Sequence, residues 1–141
     1  MRKLFLLSFV FINFIFAFSE YDESFKEYGE HFGIPPLLLK NIAKIESSLN
    51  PHCINHNKNG TIDYGIMQIN TVHFAELQRY GVNERNIMNP KVNIMAGAIL
   101  VKKLIDNNQT NYDSIGKYHS KTSRFKSLWV QKLSLELRKS R

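Results

Sequence analysis

The feature that most restricts the fold is a short amphipathic helix that ends in a carboxylate. Pro35 and Pro36 can open this helix, because proline is tolerated in the first helical turn. The helix is predicted to continue to about Ser48 and to stop before Asn50-Pro51. Residues at helical spacing share one face of it: Leu39, Ile42, Ala43 and Glu46. Glu46 therefore extends an apolar stripe that should pack against the protein interior.

This position of Glu46 favours the protonated form of its carboxyl. Burial beside apolar side chains penalises the ionised carboxylate, and the negative end of the helix dipole acts in the same direction. A carboxylic acid that stays protonated near neutral pH can give its proton to a glycosidic oxygen. The commoner alternative is a solvated glutamate at a helix end, so the helix alone does not establish a catalytic role.

A second short segment, Gly65-Ile66-Met67-Gln68-Ile69-Asn70, has the composition of a sugar-binding cleft wall. Gly65 lets backbone approach closely, and Met67 offers an adaptable apolar surface. The amides of Gln68 and Asn70 suit hydrogen bonds to sugar hydroxyls. Ordinary packing between a strand and a helix explains the same run, so its signal is weak when taken alone.

The rest of the chain predicts one mainly α domain without repeats or linkers. Residues 51–64 are rich in turn formers and should form a small β-hairpin or extended loop beside the cleft, with a strand at Thr61–Tyr64. Apolar residues at helical spacing predict further helices. These cover residues 21–32, 71–80, 90–107, 113–119 and 125–137.

The N-terminus predicts export. Arg2-Lys3 precedes a mostly apolar run from Leu4 to Phe18, and Ser19 ends a plausible cleavage site, so residues 1–19 resemble a secretory signal peptide. An uncleaved N-terminal anchor is the alternative, although the run is shorter than the roughly 20 residues of a membrane span. The expected mature protein, residues 20–141, has no later segment that is apolar and long enough to cross a bilayer.

The formal charge is +7, and basic residues concentrate in the predicted C-terminal helix. A positive protein suits an anionic polymer, including cell wall, nucleic acid or a membrane surface. Nucleic acid is disfavoured, because Phe125 and Trp129 fit core positions of the last helix rather than a base-stacking platform.

Cys53 is the only cysteine, so the chain has no intramolecular disulfide. His52 and His56 flank it at metal-like spacing, but no predicted helix aligns these side chains. The sequence therefore predicts neither a metal site nor an organic cofactor.

Several of these segments together resemble the lysozyme-like catalytic domain of lytic transglycosylases, which cleave the glycan strands of peptidoglycan. The matching residues are Glu46-Ser47, Asn50-Pro51, Gly65-Ile66-Met67-Gln68, Asn93-Ile94, Ala96-Gly97, Leu100 and Tyr118. The resemblance implies a lysozyme-like fold, a periplasmic location and Glu46 as the catalytic acid and base. It also implies that Ser47 and Gly65 support the site, that Met67 and Gln68 line the cleft, and that Tyr118 holds the Glu46 carboxyl by a hydrogen bond.

The chain departs from the common family pattern after Tyr118, where His119 replaces the usual asparagine. The Tyr-His-Ser form looks like transglycosylases that accompany type IV secretion machines. The run from Asp63 to Asn70 is similar to invasion-associated transglycosylases of type III systems. These resemblances imply that the enzyme opens the wall locally, with secretion-system components as candidate partners.

The same region also resembles c-type lysozymes, in which a second catalytic carboxylate stands in an Asp-Tyr-Gly-Ile-x-Gln-Ile-Asn run. Here that carboxylate is Asp63. Two mechanisms therefore compete: transglycosylation by Glu46 alone, and hydrolysis by Glu46 with Asp63. The structural alternative for Asp63 is a strand-end residue that binds nearby backbone. A non-catalytic wall-binding protein is the third possibility.

Overall fold

In the computed structural model, residues 21–108, 115–118 and 123–140 are described. Five helices and three strands account for most of them, and residues 115–116 are also helical. The helices are α1 (21–32), α2 (Pro36–Ser47), α3 (Phe74–Leu77), α4 (Pro90–Asn108) and α5 (Ser123–Lys139). The strands are β1 (Ile54–His56), β2 (Ile62–Tyr64) and β3 (Ile69–Asn70). The predicted signal peptide lies outside the described residues.

The predicted mainly α architecture is confirmed, with a small sheet in the expected region. The sheet is antiparallel in the order β1-β2-β3, so a third strand joins the predicted hairpin. The predicted helix over residues 71–80 is a short α3 between two 3₁₀ turns, Thr71–His73 and Gln78–Tyr80. Of the helix predicted at 113–119, only residues 115–118 are described.

The core lies between α2, α4 and the turn after β2. The predicted stripe of α2 is confirmed, since Leu39, Ile42 and Ala43 are fully buried. Gly97 of α4 packs so closely on this turn that a Cβ atom there would lie 2.6 Å from Met67 Cε. This close approach brings α4 beneath the segment that follows β2.

Helix α2 ends at Ser47, before the Asn50-Pro51 pair, and Ser48 follows it as the cap residue. Ser48 adopts the left-handed conformation with φ of 56°, and its N–H donates to the Lys44 carbonyl at 3.0 Å. The Leu49 N–H reaches back to the Ala43 carbonyl at 3.4 Å. The bond from Ser48 to Lys44 is the 5→1 bond of an αL cap, which normally places glycine where Ser48 stands.

We expect Ser48→Gly to stabilise the protein by about 0.5–1 kcal/mol. A non-glycine residue is destabilised by about 1–2 kcal/mol in this conformation. The gain from glycine is smaller, because glycine has more conformational freedom to lose from the unfolded chain. The measurement is the urea midpoint beside Ser48→Ala, which keeps the strain and should gain nothing. A glycine variant less stable than wild type would contradict the role assigned to this cap.

Among the helices that the structure describes, none combines the length and the apolar character needed to cross a bilayer.

Candidate active site

Glu46 lies in the last turn of α2, with its side chain partly buried. Its Oε1 atom accepts a hydrogen bond from the indole Nε1 of Trp129 on α5, at 2.7 Å. Trp129 is only 3% exposed, which confirms the prediction that it occupies a core position. The sequence did not predict its bond to Glu46, because 83 residues separate the two.

Ser47 joins the end of α2 to the turn that follows β2. Its hydroxyl donates to the Ile66 carbonyl at 2.7 Å, and the same oxygen accepts from the Asn50 N–H at 3.1 Å. The residue next to Glu46 is thus tied both to its own cap and to the turn over residues 65–68. Ser47 was predicted to support the site, and these are the contacts through which such support would act.

Asn93 of α4 holds that turn from below. Its Oδ1 accepts from the Met67 N–H at 2.7 Å, and its Nδ2 donates to the carbonyls of Tyr64 at 2.8 Å and Ile87 at 3.0 Å. Gly65 is required here because its φ is 73° and a Cβ atom would lie 2.5 Å from Asn93 Nδ2. Asn93 is fully buried, so it fixes the position of the turn above α4, beside Glu46.

The structure corrects the part predicted for Met67. Its side chain is 0% exposed and packs against Gly97, so it belongs to the core beneath the site rather than to a cleft wall. What Met67 presents to the site is its backbone, because its carbonyl oxygen accepts a hydrogen bond from the Tyr118 hydroxyl at 2.8 Å.

The amide of Gln68 is engaged within the protein. Its Nε2 donates to the carbonyls of Cys53 at 3.2 Å and Gly65 at 2.8 Å. Its Oε1 accepts from Asn55 Nδ2 at 2.6 Å. Because both amide protons are used, Gln68 clamps the turn to the residues around β1, although it was expected to offer donors to a sugar.

Tyr118 does not make the predicted hydrogen bond to Glu46. Its single hydroxyl proton goes to the Met67 carbonyl, and Trp129 supplies a donor to the carboxyl instead. The pKa of Tyr118 is raised well above its ordinary value, first by burial and then by the charges of Glu46 and Asp63. The phenol is therefore neutral, and it lies within electrostatic reach of both carboxylates.

Asp63 stands in the middle of the sheet, paired with Asn55 on β1 and Asn70 on β3. Its Oδ1 accepts from Asn70 Nδ2 at 2.7 Å and its Oδ2 from Asn57 Nδ2 at 2.9 Å. These donors are side-chain amides. The structural alternative for Asp63 predicted that its carboxylate would bind nearby backbone groups instead. Asn70, predicted to bind substrate, thus orients Asp63, and its Oδ1 caps the following 3₁₀ turn through the Val72 N–H at 3.0 Å.

The family described as "Transglycosylase SLT domain" matches residues 23–131. The chain belongs to this family. The match spans Glu46, the turn over residues 65–68 and Trp129, so every part of the site described above lies within the SLT domain.

Three curated relatives share this part of the chain. The chain is 32% identical to invasion protein IagB of Salmonella typhimurium strain LT2 over 93 residues, 65% of this chain and 58% of IagB. It is 36% identical to protein IpgF of Shigella flexneri over 96 residues, 67% of this chain and 63% of IpgF. A putative peptidoglycan-binding-like protein of Escherichia coli strain K12 is 34% identical over 125 residues, 82% of this chain and 79% of that protein.

A solved structure confirms the lysozyme-like SLT fold. The chain superposes on an inactive mutant of lytic transglycosylase Slt from Pseudomonas aeruginosa with a TM-score of 0.61 at 15% sequence identity. The match covers 79% of this chain and 20% of that one. It therefore shows that the SLT domain here corresponds in fold to one part of a much longer protein.

The sequence analysis also singled out two histidines at metal-like spacing and the residue that follows Tyr118. No cluster of three or more metal-ligating side chains occurs within the described ranges, and His52 and His56 lie on or beside the exposed β1. His119, the residue that departs from the common family pattern, lies outside the described residues.

Proposed function

We propose that this SLT domain is an exported lytic transglycosylase. It cleaves the β-1,4 bond between N-acetylmuramic acid and N-acetylglucosamine and leaves a 1,6-anhydro-muramic acid end. The observation that carries the proposal is the partly buried Glu46 carboxyl, held by an indole donor at the end of α2 in a chain of this family. The neutral Tyr118 lies within electrostatic reach of both Glu46 and Asp63.

One carboxyl suffices for this reaction. Protonated Glu46 gives its proton to the glycosidic oxygen as the bond from that oxygen to C1 of the muramic acid breaks. The C6 hydroxyl of the same sugar then attacks C1 and gives its proton to the Glu46 carboxylate. The acid is thereby regenerated, one C–O bond has replaced another, and no water has been consumed.

The fixed geometry around Glu46 supports this double role. Ser47 and the cap at Ser48 fix the helix end, while the Trp129 N–H fixes one carboxyl oxygen. A group that must first give and then take a proton at two nearby oxygens gains from such restraint, because misplacement by about 1 Å can cost about 100-fold in rate.

Two further parts of the proposal concern location and partners. Residues 1–19 have the pattern of a signal peptide, so the enzyme would act in the periplasm on peptidoglycan strands. The relatives named as an invasion protein and as IpgF support a role in opening the wall for a secretion apparatus, whose components would be its partners.

The test is mass spectrometry of the muropeptides that the purified exported protein releases from peptidoglycan, with Glu46→Gln as the matched control. Ends of 1,6-anhydro-muramic acid, lighter by one water than hydrolysed ends, are expected from the wild type alone. Reducing ends would overturn transglycosylation. Binding without release by either protein would indicate the wall-binding alternative.

A hydrolytic muramidase is the second candidate, and the environment of Asp63 favours it. Side-chain amides donate hydrogen bonds to both oxygens of its carboxylate, and the charges of Asp63 and Glu46 both raise the pKa of Tyr118. An ionised carboxylate near the acid could stabilise or trap a cationic sugar, after which water would complete the hydrolysis.

We expect Asp63→Asn to change the rate of a transglycosylase by less than about tenfold, because that route needs no second carboxylate. A hydrolase that relies on this group should instead lose about 100-fold or more. The measurement is the initial rate of muropeptide release. Thr61→Val is the matched control, because the Thr61 hydroxyl shares the hydrogen-bonded network with Asn57 and Asn70 but carries no charge.

A further inference from the structure

Trp129 is the only tryptophan of the chain, and its indole is buried between α5 and the site. The Nε1–Oε1 distance of 2.7 Å to Glu46 is short for an N–H donor, as is usual when the acceptor is a carboxylate. The ring also lies beside Tyr118, with the two ring centroids 6.5 Å apart. One side chain thus contacts both the acid and the residue that binds the turn opposite it.

Packing alone does not require this arrangement. A buried indole N–H needs an acceptor, but a backbone carbonyl would serve equally well and would cost no desolvation of a charge. Here the acceptor is the carboxyl of Glu46, the proposed catalytic acid. Leu133, one helical turn further along α5, is fully buried as well and fills the core without any polar role.

The flexibility of glutamate makes the donor useful. Fixing a free glutamate side chain in one orientation carries an entropic cost. If the folded protein already holds the side chain, that cost arises during folding and not during the reaction. An N–H donor aimed at Oε1 selects one orientation of the carboxyl plane. It also stabilises the carboxylate that forms once the proton has left, at a position where Asp63 and the neutral Tyr118 supply no positive charge.

We propose that Trp129 is a positioning residue for Glu46, holding Oε1 through its indole N–H so that the carboxyl is oriented for proton transfer. This inference rests on the proposed function for its catalytic consequence. The contact itself can be tested without any activity, and the two tests fail separately.

The first test follows the single indole N–H resonance of the exported protein labelled with ¹⁵N-tryptophan. Because the chain has one tryptophan, the signal needs no assignment. Its shift should change with pH in one step as Glu46 ionises. The step should vanish in Glu46→Gln and persist in Asp63→Asn, which removes the other nearby carboxylate. A shift that is independent of pH, or a step that survives Glu46→Gln, would overturn the contact.

The second test removes only the N–H group. In a tryptophan auxotroph, 3-benzothienylalanine replaces Trp129 alone and keeps the shape of the ring while sulfur takes the place of the N–H. We expect kcat to fall by roughly 10- to 100-fold, the factor that corresponds to a hydrogen bond to a charged group, with KM little changed and a smaller fall in the melting temperature than Trp129→Phe causes. An unchanged kcat would assign Trp129 to packing only.

Two ordinary substitutions complete the comparison. Trp129→Phe should reproduce the loss of kcat with an added loss of stability, because it also leaves a cavity. Leu133→Ala, on the same buried face of α5, should lower stability while keeping kcat of the folded protein. Equal losses of kcat in both variants would refute positioning. If the wild type releases no muropeptide, the proposed function fails, and the NMR titration alone decides whether Trp129 holds Glu46.

Discussion

Glu46→Gln is expected to lower the rate of glycan release by about 10²- to 10⁴-fold, the range attributed to a general acid–base group, while the protein stays folded. Glutamine matches glutamate in size, and its amide oxygen can still accept the Trp129 N–H that binds Oε1 in the wild type. What the substitution removes is the transferable proton. Both half-reactions need that proton, so the variant should lose turnover and keep its affinity for glycan strands.

Rate and stability should be measured on the same preparations, by muropeptide release and by thermal unfolding. Glu30→Gln is a suitable control, because Glu30 lies on the exposed face of α1 and the change of charge is identical. Release by Glu46→Gln within tenfold of the wild type would remove Glu46 from its role.

The sequence predicted the parts of this fold that depend on local patterns. The stripe of α2 and the position of Glu46 at its end follow from helical spacing, and the sheet follows from turn formers around Ile62 and Tyr64. Strand β3 was missed because two residues carry no periodicity of their own. It exists because Ile69 pairs with Tyr64 and Asn70 with Asp63 in the register of β2.

The site was predicted less completely, because its contacts join distant segments. A buried tryptophan needs a partner for its N–H, but nothing local indicates that the partner is Glu46. The amides of Gln68 and Asn70 looked available to a sugar, since a sequence does not show that they bind Cys53 and Asp63 instead. Some polar residues near a site contact the substrate and others hold the walls of the site. The two kinds can be told apart only when their hydrogen bonds are known.

Asn93→Leu is expected to cost about 3–6 kcal/mol of the free energy of unfolding. The substitution keeps the branched shape of the side chain but leaves the Met67 N–H and the Tyr64 and Ile87 carbonyls without the side chain that binds them. An unpaired buried polar group costs about 1–3 kcal/mol, and a typical domain has only about 5–15 kcal/mol in total. Urea denaturation at neutral pH measures the difference.

Asn41→Leu is the matched control, since Asn41 is also a buried asparagine on a helix. Its Nδ2 donates to the Leu37 carbonyl, which keeps its helical N–H partner when the side chain is lost, so the cost should stay below about 1.5 kcal/mol. Equal costs at the two positions would show that the turn does not depend on Asn93. Because Tyr118 binds the Met67 carbonyl, Asn93→Leu should also reduce activity among the molecules that remain folded, whereas Asn41→Leu should not. That difference separates a residue that fixes the wall of the site from one that only fills the core.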